Sequence, residues 1–225
     1  MGNNNGKIIS IVAGGTELPT GEVFNELLAD STLILAADGG ADNCLIRGIS
    51  PDLIIGDMDS ISRDTLRHFP PEKLIRIDSQ DNTDLEKALA FCSDQSPQKI
   101  QIFAWSGNRI DHTIGNLLSV RDFYQKYNIP VILHDHLGTI NLLGPGEYQL
   151  SMKKDTIVSI FCLDPLINLR LTGFRYSVGN PNQKPGFRGI SNEINKYPAY
   201  ISLEQGLVFV YSQTYSVNIV KTRNI

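Results

Sequence analysis

The chain has 225 residues, of which 41% are hydrophobic and 20% are charged, and its formal net charge is −4 at pH 7. These values indicate a folded protein with one large domain or two small ones. Because the charge is negative and no basic patch or Arg-rich helix is present, we expect no nucleic-acid partner. We also expect no membrane partner, because no apolar run approaches the roughly 20 residues that a membrane-spanning helix needs.

Three widely separated cysteines, Cys44, Cys92 and Cys162, lack the spacing of a metal site. An odd number of such cysteines is typical of reduced thiols in a cytosolic protein. The first residues are polar and lack the apolar stretch of a secretory signal. We therefore expect a cytoplasmic protein.

The first 135 residues alternate between β-rich runs and helix-like stretches. The predicted strands are residues 8–13, 32–37, 52–55, 73–77, 99–103 and 131–134. The predicted helices are residues 22–29, 83–93 and 111–127. This alternation predicts a mostly parallel sheet with helices on both faces.

The pattern changes near Asp135, beyond which no helix is predicted. The predicted strands are residues 139–143, 146–150, 156–163, 168–171, 199–203, 207–211 and 216–220. Residues 178–189 contain several glycines and prolines and are predicted to form a long loop. The sequence thus predicts an α/β domain at residues 1–137, followed by an all-β, sandwich-like domain at residues 138–225.

Four polar segments of the α/β domain each follow an apolar run. They lie at residues 38–40, 56–60, 80–84 and 107–112. In a parallel sheet these segments meet at the carboxyl edge, where open α/β proteins bind their ligands. Carboxylates crowded at that edge repel one another unless a cation holds them. The pattern predicts a site for Mg²⁺ with a nucleotide polyphosphate.

The pair Asp57 and Asp59 is the sharpest indication of a metal site. Two carboxylates two residues apart in a tight loop can share a cation, and Mg²⁺ prefers a few oxygen ligands together with water and phosphate oxygens. The alternative is that Asp59 or Ser60 simply caps a helix at residues 62–68.

The segment from Gln80 to Asp84 also has two interpretations. Thr83 and Glu86 have capping-box spacing, which would explain Asp84 as an acid in the first helical turn. Asp81 lies before the cap and is not explained by it. Asp81 is therefore a candidate ligand of a metal or a substrate.

The remaining candidates are weaker when taken alone. Arg109 could pair with a phosphate, whereas Asp111 could be a simple helix cap and His112 a surface histidine. Gly39 and Gly40 would allow close approach of the backbone to a ligand. The Walker pattern of P-loop kinases is absent.

Taken together, the polar segments resemble the thiamine pyrophosphokinase family. The matching motifs lie, in order, at residues 37–42, 51–60, 80–84, 107–112 and 189–192. The resemblance implies a diphosphotransferase that moves the diphosphate of ATP to the hydroxyethyl oxygen of thiamine, giving thiamine diphosphate and AMP. It also implies a homodimer with the active site at the subunit interface, ATP and Mg²⁺ on the α/β domain and thiamine on the β domain.

The resemblance also implies roles for particular residues. The expected Mg²⁺ ligands are Asp57, Asp59, Asp81 and Asp38, the first three being also the expected catalytic residues. The expected nucleotide-binding residues are Asp38, Gly39, Gly40, Thr83, Asp84, Arg109, Asp111 and His112. The expected thiamine-binding residues are Gln80, Ser191 and Asn192. Two alternatives stay open, namely another Mg²⁺-dependent phosphotransferase or phosphatase, and a non-catalytic sensor of a nucleotide or of thiamine.

Overall fold

The computed structural model describes residues 6–183 and 186–225, with residues 179–183 and 186–188 described by their backbone alone. Contacts divide the chain into two compact units, the first ending at His136 and the second spanning Leu137–Ile225. None of the helices in the described ranges has the length and apolar character that a membrane crossing requires.

The described part of the first unit alternates between six strands and five α-helices. The strands are β1 (Ile8–Val12), β2 (Leu33–Ala37), β3 (Leu53–Gly56), β4 (Leu74–Arg76), β5 (Lys99–Phe103) and β6 (Val131–His134). The helices are α1 (Gly21–Leu28), α2 (Gly40–Ile46), α3 (Arg63–His68), α4 (Asp84–Asp94) and α5 (Ile110–Tyr127), with a 3-10 helix at Pro71–Lys73. The strands pair in parallel in the order β6-β5-β1-β2-β3-β4.

Helices cover both faces of this parallel sheet, as the sequence predicts. Val12, Ala36 and Ile54 share one face, where they form a buried cluster with residues of α1 and α2. Their neighbours along each strand point to the opposite face because side chains alternate along a strand. Helix α4 contacts β2 and β3, and its buried residues lie outside that cluster, so it covers the second face.

The described part of the second unit contains strands and no α-helix. The strands are β7 (Thr139–Leu143), β8 (Gly146–Ser151), β9 (Ile157–Cys162), β10 (Leu166–Thr172), β11 (Gly179–Gln183), β12 (Gly186–Glu193), β13 (Ala199–Leu203), β14 (Val208–Ser212) and β15 (Asn218–Arg223). They form two antiparallel arrays, ordered β12-β9-β14-β7 and β11-β10-β13-β8-β15. Residues of both arrays share one buried core, so the unit is a sandwich; among them are Ile160, Leu171, Ile201 and Val210.

The loop predicted for residues 178–189 is wrong, because β11 and β12 occupy most of this segment. β11 pairs with β10 and β12 pairs with β9, each as the outermost strand of its array. Edge strands tolerate glycine, proline and register shifts, and β12 contains two such shifts. Backbone pairing with the neighbouring strands β10 and β9 therefore overrides the local preference for a turn. Residues 184 and 185 of this prediction lie outside the described residues.

Candidate active site

The polar segments of the first unit surround a cleft of about 710 Å³ at the carboxyl edge of its sheet. The cleft is lined by parts of the segments that follow β1, β2, β3 and β5, and by the start of α4 and of α5. This placement agrees with the expectation that parallel strands bring these segments to a common edge.

Asp38, Asp57 and Asp59 form the acidic centre of this region, with one carboxylate oxygen of each lying within 4.8 Å of the others. Asp38 follows β2 and is only 1% exposed. Its Oδ2 accepts a hydrogen bond from the Ser60 backbone N–H at 3.2 Å, whereas its Oδ1 is buried with no hydrogen-bond partner in the described residues. A buried carboxylate oxygen without a donor is unfavourable unless a cation lies against it.

The carboxylates of the acidic centre differ in their electrostatic environment. The pKa of Asp38 is raised to about 6, chiefly by burial and also by the charges of Asp84, Asp57 and Asp59, while the hydrogen bond from the Ser60 N–H acts in the opposite direction. By contrast, the pKa of Asp57 is lowered, chiefly because the Gln80 side-chain amide donates to its Oδ2 at 2.8 Å. A divalent cation would relieve the repulsion that Asp38 experiences.

Gly56 gives the acidic centre the space it needs at the end of β3. A Cβ atom at this position would lie 2.7 Å from Asp38 Cβ and 3.0 Å from Asp84 Oδ1. Any side chain at position 56 would therefore displace the carboxylates on both sides of it.

Of the two helix caps predicted for these acidic segments, the one for α3 is wrong and the one for α4 is confirmed. Helix α3 is capped by Ser62, whose Oγ accepts the Thr65 N–H at 3.2 Å, so the interpretation of Asp59 or Ser60 as its cap is wrong. The capping box of α4 is confirmed. Thr83 Oγ1 accepts the Glu86 N–H at 3.3 Å, and Glu86 Oε2 accepts the Thr83 N–H at 2.7 Å.

Lys87 is a residue of the site that the sequence analysis missed. Its side chain is 4% exposed, and its Nζ lies 2.9 Å from Asp84 Oδ1 and 3.7 Å from Asp57 Oδ2. The spacing of Asp84 and Lys87 on one helix face could have suggested this pair. The burial of Lys87 and its approach to Asp57 depend on contacts that are distant in sequence.

Asp81 lies at the lining of the same cleft but outside the group formed by Asp38, Asp57 and Asp59 in the described residues. It is exposed, and its Oδ2 accepts a hydrogen bond from Ser79 Oγ at 3.3 Å. The structure therefore separates Asp81 from the acidic centre.

Two asparagines that the sequence analysis missed hold the loops around the cleft. Asn43 Nδ2 donates to the carbonyl oxygens of Ala13 and Gly15, at 2.9 Å each. Asn116 Nδ2 donates to the carbonyl oxygen of Trp105 at 2.6 Å. All five residues line the cleft, so these bonds fix its wall after β1 and after β5.

The expected glycines have different positions. Gly39 lines the cleft, where an added Cβ would make only ordinary contacts, the nearest 3.5 Å from Ser60. Gly40 is buried at the start of α2, and an added Cβ would collide with the carbonyl oxygen of Val12. Gly40 therefore allows α2 to pack closely against β1.

Arg109 and His112 line the cleft at the start of α5. Arg109 forms a two-pronged ion pair with Asp111, its Nε 2.9 Å from Oδ1 and its Nη2 2.6 Å from Oδ2. This pairing lowers the pKa of Asp111. Arg109 holds the N-cap position, so the interpretation of Asp111 as the cap is wrong.

Ser191 and Asn192 belong to the second unit. Asn192 is fully buried, and its side-chain amide bonds only backbone groups, accepting the N–H of Tyr176 and of Glu193 and donating to the Tyr176 carbonyl oxygen among the described residues. Ser191 is exposed with a left-handed φ of 52°, and its N–H donates to Ser159 Oγ at 3.0 Å.

The sequence model of a domain family described as "Thiamin pyrophosphokinase, catalytic domain" matches residues 24–133. The thiamine pyrophosphokinase of Bacillus subtilis is 32% identical over 218 residues, covering 92% of this chain and 99% of that protein. Thiamin pyrophosphokinase 1 of Caenorhabditis elegans is 25% identical over 191 residues, covering 78% of this chain and 76% of that protein. The crystal structure of the Bacillus subtilis thiamine pyrophosphokinase matches with a TM-score of 0.80 at 30% identity, covering 92% of this chain and 99% of that chain.

These likenesses define the class of the protein, which is an enzyme of the diphosphotransferase type. The chain belongs to the thiamine pyrophosphokinase family, because so similar a relative is matched over nearly its whole length. The family resemblance predicted from the motifs is confirmed.

Proposed function

We propose that the protein transfers the diphosphate group of ATP to the hydroxyethyl oxygen of thiamine, with Mg²⁺ as the metal, and releases thiamine diphosphate and AMP. The observation that carries this proposal is the acidic centre of Asp38, Asp57 and Asp59, which lies within the part of the chain that the family model matches. The family match favours this reaction over a phosphatase or another phosphotransferase. The number of acidic groups in the cleft favours catalysis over simple sensing.

The acidic centre suits Mg²⁺, because it offers hard carboxylate oxygens, one of which is buried and accepts no hydrogen bond from the described residues. Asp38, Asp57 and Asp59 would hold the ion, and Asp81 is proposed as a further ligand from the rim of the cleft. When bound, Mg²⁺ would neutralise phosphate oxygens and offset the charge that develops on the transferred group.

The chain's own residues would position the nucleotide. Gly39 lines the cleft next to Asp38 in the chain, Thr83 lines it at the start of α4, and Arg109 and His112 line it at the start of α5. The Arg109 guanidinium is exposed and could exchange Asp111 for a phosphate group. The other proposed nucleotide-binding residues are Asp38, Gly40, Asp84 and Asp111.

Attack must occur at the β-phosphorus, because two phosphoryl groups move together. A bond forms between the hydroxyethyl oxygen and the β-phosphorus, and the bond from that phosphorus to the oxygen retained by AMP breaks. The hydroxyl O–H bond also breaks, and its proton is released to water. Since there is little covalent chemistry for side chains to perform, positioning and electrostatics supply most of the rate.

Thiamine carries a fixed positive charge, so an acidic cleft would favour its approach. Gln80 is proposed to contact thiamine while its amide holds Asp57. Ser191 and Asn192 are proposed to recognise thiamine from the β domain. In this role Ser191 offers an exposed group, and Asn192 fixes the backbone beside it. ATP and Mg²⁺ are thus proposed to bind to residues 1–137, and thiamine is proposed to bind mainly to residues 138–225, with Gln80 as its contact in the α/β domain.

Helix α5 supports the proposal of a homodimer with the active site at the subunit interface. Ile110, Ile114 and Leu118 are 70%, 52% and 36% exposed and lie four residues apart, so they form one apolar stripe. The same helical turns carry His112 and Asn116, which line the cleft. Exposed apolar stripes of this kind are often interaction surfaces.

We also propose a cytoplasmic location. Among the described residues, Cys44 and Cys92 are free, buried thiols. Free thiols suit a reducing compartment.

The experiment that tests the proposed reaction is incubation of the pure protein with ATP, Mg²⁺ and thiamine, with the products identified by mass. Equal amounts of AMP and thiamine diphosphate are expected, and none should form when EDTA replaces Mg²⁺. Thiamine monophosphate with ADP would instead identify a single-phosphoryl kinase. Bound thiamine without any product would identify a sensor.

A further inference from the structure

Lys87 is a buried cation that lies beside two carboxylates of the cleft. The residue is only 6% exposed. Its ammonium lies 2.9 Å from Asp84 and 3.7 Å from Asp57. A lysine is almost never buried to this extent unless it is paired. In this position its positive charge partly neutralises the negative charge of the carboxylates around the acidic centre.

Lys87 and the acidic centre share Asp57. One oxygen of Asp57 lies within 4.8 Å of oxygens of Asp38 and Asp59, while its Oδ2 faces the ammonium of Lys87. The ammonium of Lys87 also donates a hydrogen bond to Asp84 Oδ1 at 2.9 Å, so two carboxylates flank it in a buried place. Lys87 therefore keeps its charge beside these carboxylates.

We infer that Lys87 is a built-in countercation, a positioning residue that holds Asp57 and Asp84 together before any divalent cation binds. With Lys87 on one side of Asp57, the protein without nucleotide needs a single divalent cation, held by Asp38, Asp57 and Asp59. The inference rests on the proposed function only in taking Mg²⁺ as that cation.

Removal of the Lys87 charge has a consequence that an ordinary packing defect lacks. Without the ammonium, the carboxylates around it repel one another more strongly in a poorly solvated place. A divalent cation then binds a more negative cluster and stabilises the folded state by a larger amount. The loss of stability should therefore depend on Mg²⁺.

The test is thermal unfolding of the full chain without ATP or thiamine, once in EDTA and once in excess Mg²⁺. Lys87→Met should lower the Tm by roughly 10 °C in EDTA. Mg²⁺ should then raise the Tm of this variant by about twice as much as it raises that of the wild type, or more. An equal deficit in EDTA and in Mg²⁺ would overturn the inference.

Lys73→Met is the matched control. Lys73 Nζ donates to Ser50 Oγ and to the Pro51 carbonyl oxygen, at 2.7 Å each, and both acceptors are neutral. Its replacement should lower the Tm equally in EDTA and in Mg²⁺. A Mg²⁺-dependent deficit in this variant would show that the effect is not particular to Lys87.

Two further variants keep the inference testable if Lys87→Met fails to fold. Lys87→Arg keeps the charge and should show the wild-type response to Mg²⁺. The double variant Lys87→Met with Asp84→Asn removes one charge of each sign and should recover most of the Tm lost in EDTA. A double variant no more stable than Lys87→Met would contradict the role of Lys87 as a countercation.

Isothermal titration with Mg²⁺ alone gives the number of ions directly. One ion per wild-type chain is expected, and Mg²⁺ should bind about 3-fold or more tightly to Lys87→Met. Two ions per wild-type chain would overturn the inference. None of these measurements uses turnover, so they can fail while thiamine diphosphate is still formed, and they can succeed when it is not.

Discussion

Asp57 is the residue on which the proposed chemistry depends most directly. Asp57→Asn keeps the size of the side chain but removes one charge from the acidic centre. We expect turnover to fall by on the order of 10³-fold, because the cation and the polyphosphate lose a ligand charge. The measurement is AMP formation, with circular dichroism to show that the fold is retained.

Asp64→Asn is the control for this substitution. Asp64 lies on α3 with its side chain 91% exposed, and it contacts Arg67 at the surface. Its replacement should leave turnover unchanged. Full activity in Asp57→Asn would exclude Asp57 as a metal ligand.

The buried side chain of His134 leads to a prediction of how the free energy of unfolding depends on pH. Its ring stacks on Phe103 with centroids 4.8 Å apart, and burial lowers the pKa of His134 to about 3 from 6.5. The unfolded chain therefore binds one more proton than the folded chain between these values. The stability due to neutral His134 is complete above pH 6.5 and falls by about 1.4 kcal/mol per pH unit as the pH drops towards 3.

Urea denaturation at pH 7 and pH 5 measures this effect. The His134→Gln variant should lose about 2 kcal/mol less than the wild type between these two pH values. His68→Gln, at an exposed histidine of α3, is the matched control and should retain the wild-type pH dependence. Equal pH dependence in His134→Gln and the wild type would contradict the prediction.

At the scale of single residues, the sequence predicts the members of the site that stand in short motifs. Asp57 and Asp59 are two residues apart directly after a strand, so their meeting with Asp38 follows from the parallel sheet alone. Lys87 and Asn43 were missed because their roles depend on partners far away in the chain. For Asn43, those partners are carbonyl oxygens near the end of β1, which no side-chain pattern reveals.

Helix α4 carries both Asp84 and Lys87, and its capping box fixes its start. Thr83→Ala removes the acceptor for the Glu86 N–H and should lower the free energy of unfolding by about 1 kcal/mol. Thr83→Ser keeps a hydroxyl, so its free energy of unfolding should fall by no more than a few tenths of the decrease expected for Thr83→Ala. Chemical denaturation of both variants is the measurement, and equal stabilities would show that the cap contributes nothing.

At the scale of elements, the long helix α5 and most of the strands were predicted, whereas helix α2 and strands β11 and β12 were missed. The 18-residue helix α5 has a sustained apolar pattern, and its prediction is confirmed. Helix α2 was missed because its 7 residues are too short for such a pattern and include glycine, aspartate and asparagine. Strands β11 and β12 were missed because their glycines and prolines indicate turns, whereas pairing with β10 and β9 determines their structure.

At the scale of the whole molecule, the α5 stripe leads to a prediction about assembly. Ile114→Glu places a charge in the centre of the stripe and should convert the proposed dimer into a monomer, because a charge is costly to bury at an interface. Sedimentation equilibrium of the variant and the wild type measures this change. A dimeric variant would locate the subunit interface elsewhere.

Ile46→Glu is the control for the assembly prediction. Ile46 is 79% exposed on α2, outside the stripe. This variant should keep the wild-type mass. The comparison therefore separates an effect of the α5 stripe from a general effect of added surface charge.

Trp105 gives the protein an optical property of its own. It is the only tryptophan in the 225-residue sequence, and it lines the cleft with its backbone held by Asn116. When only tryptophan is excited, the fluorescence therefore comes almost entirely from Trp105 on the wall of the cleft. Occupancy of the cleft by a nucleotide or by thiamine should change this emission without any label, so the unmodified chain can serve as its own binding assay.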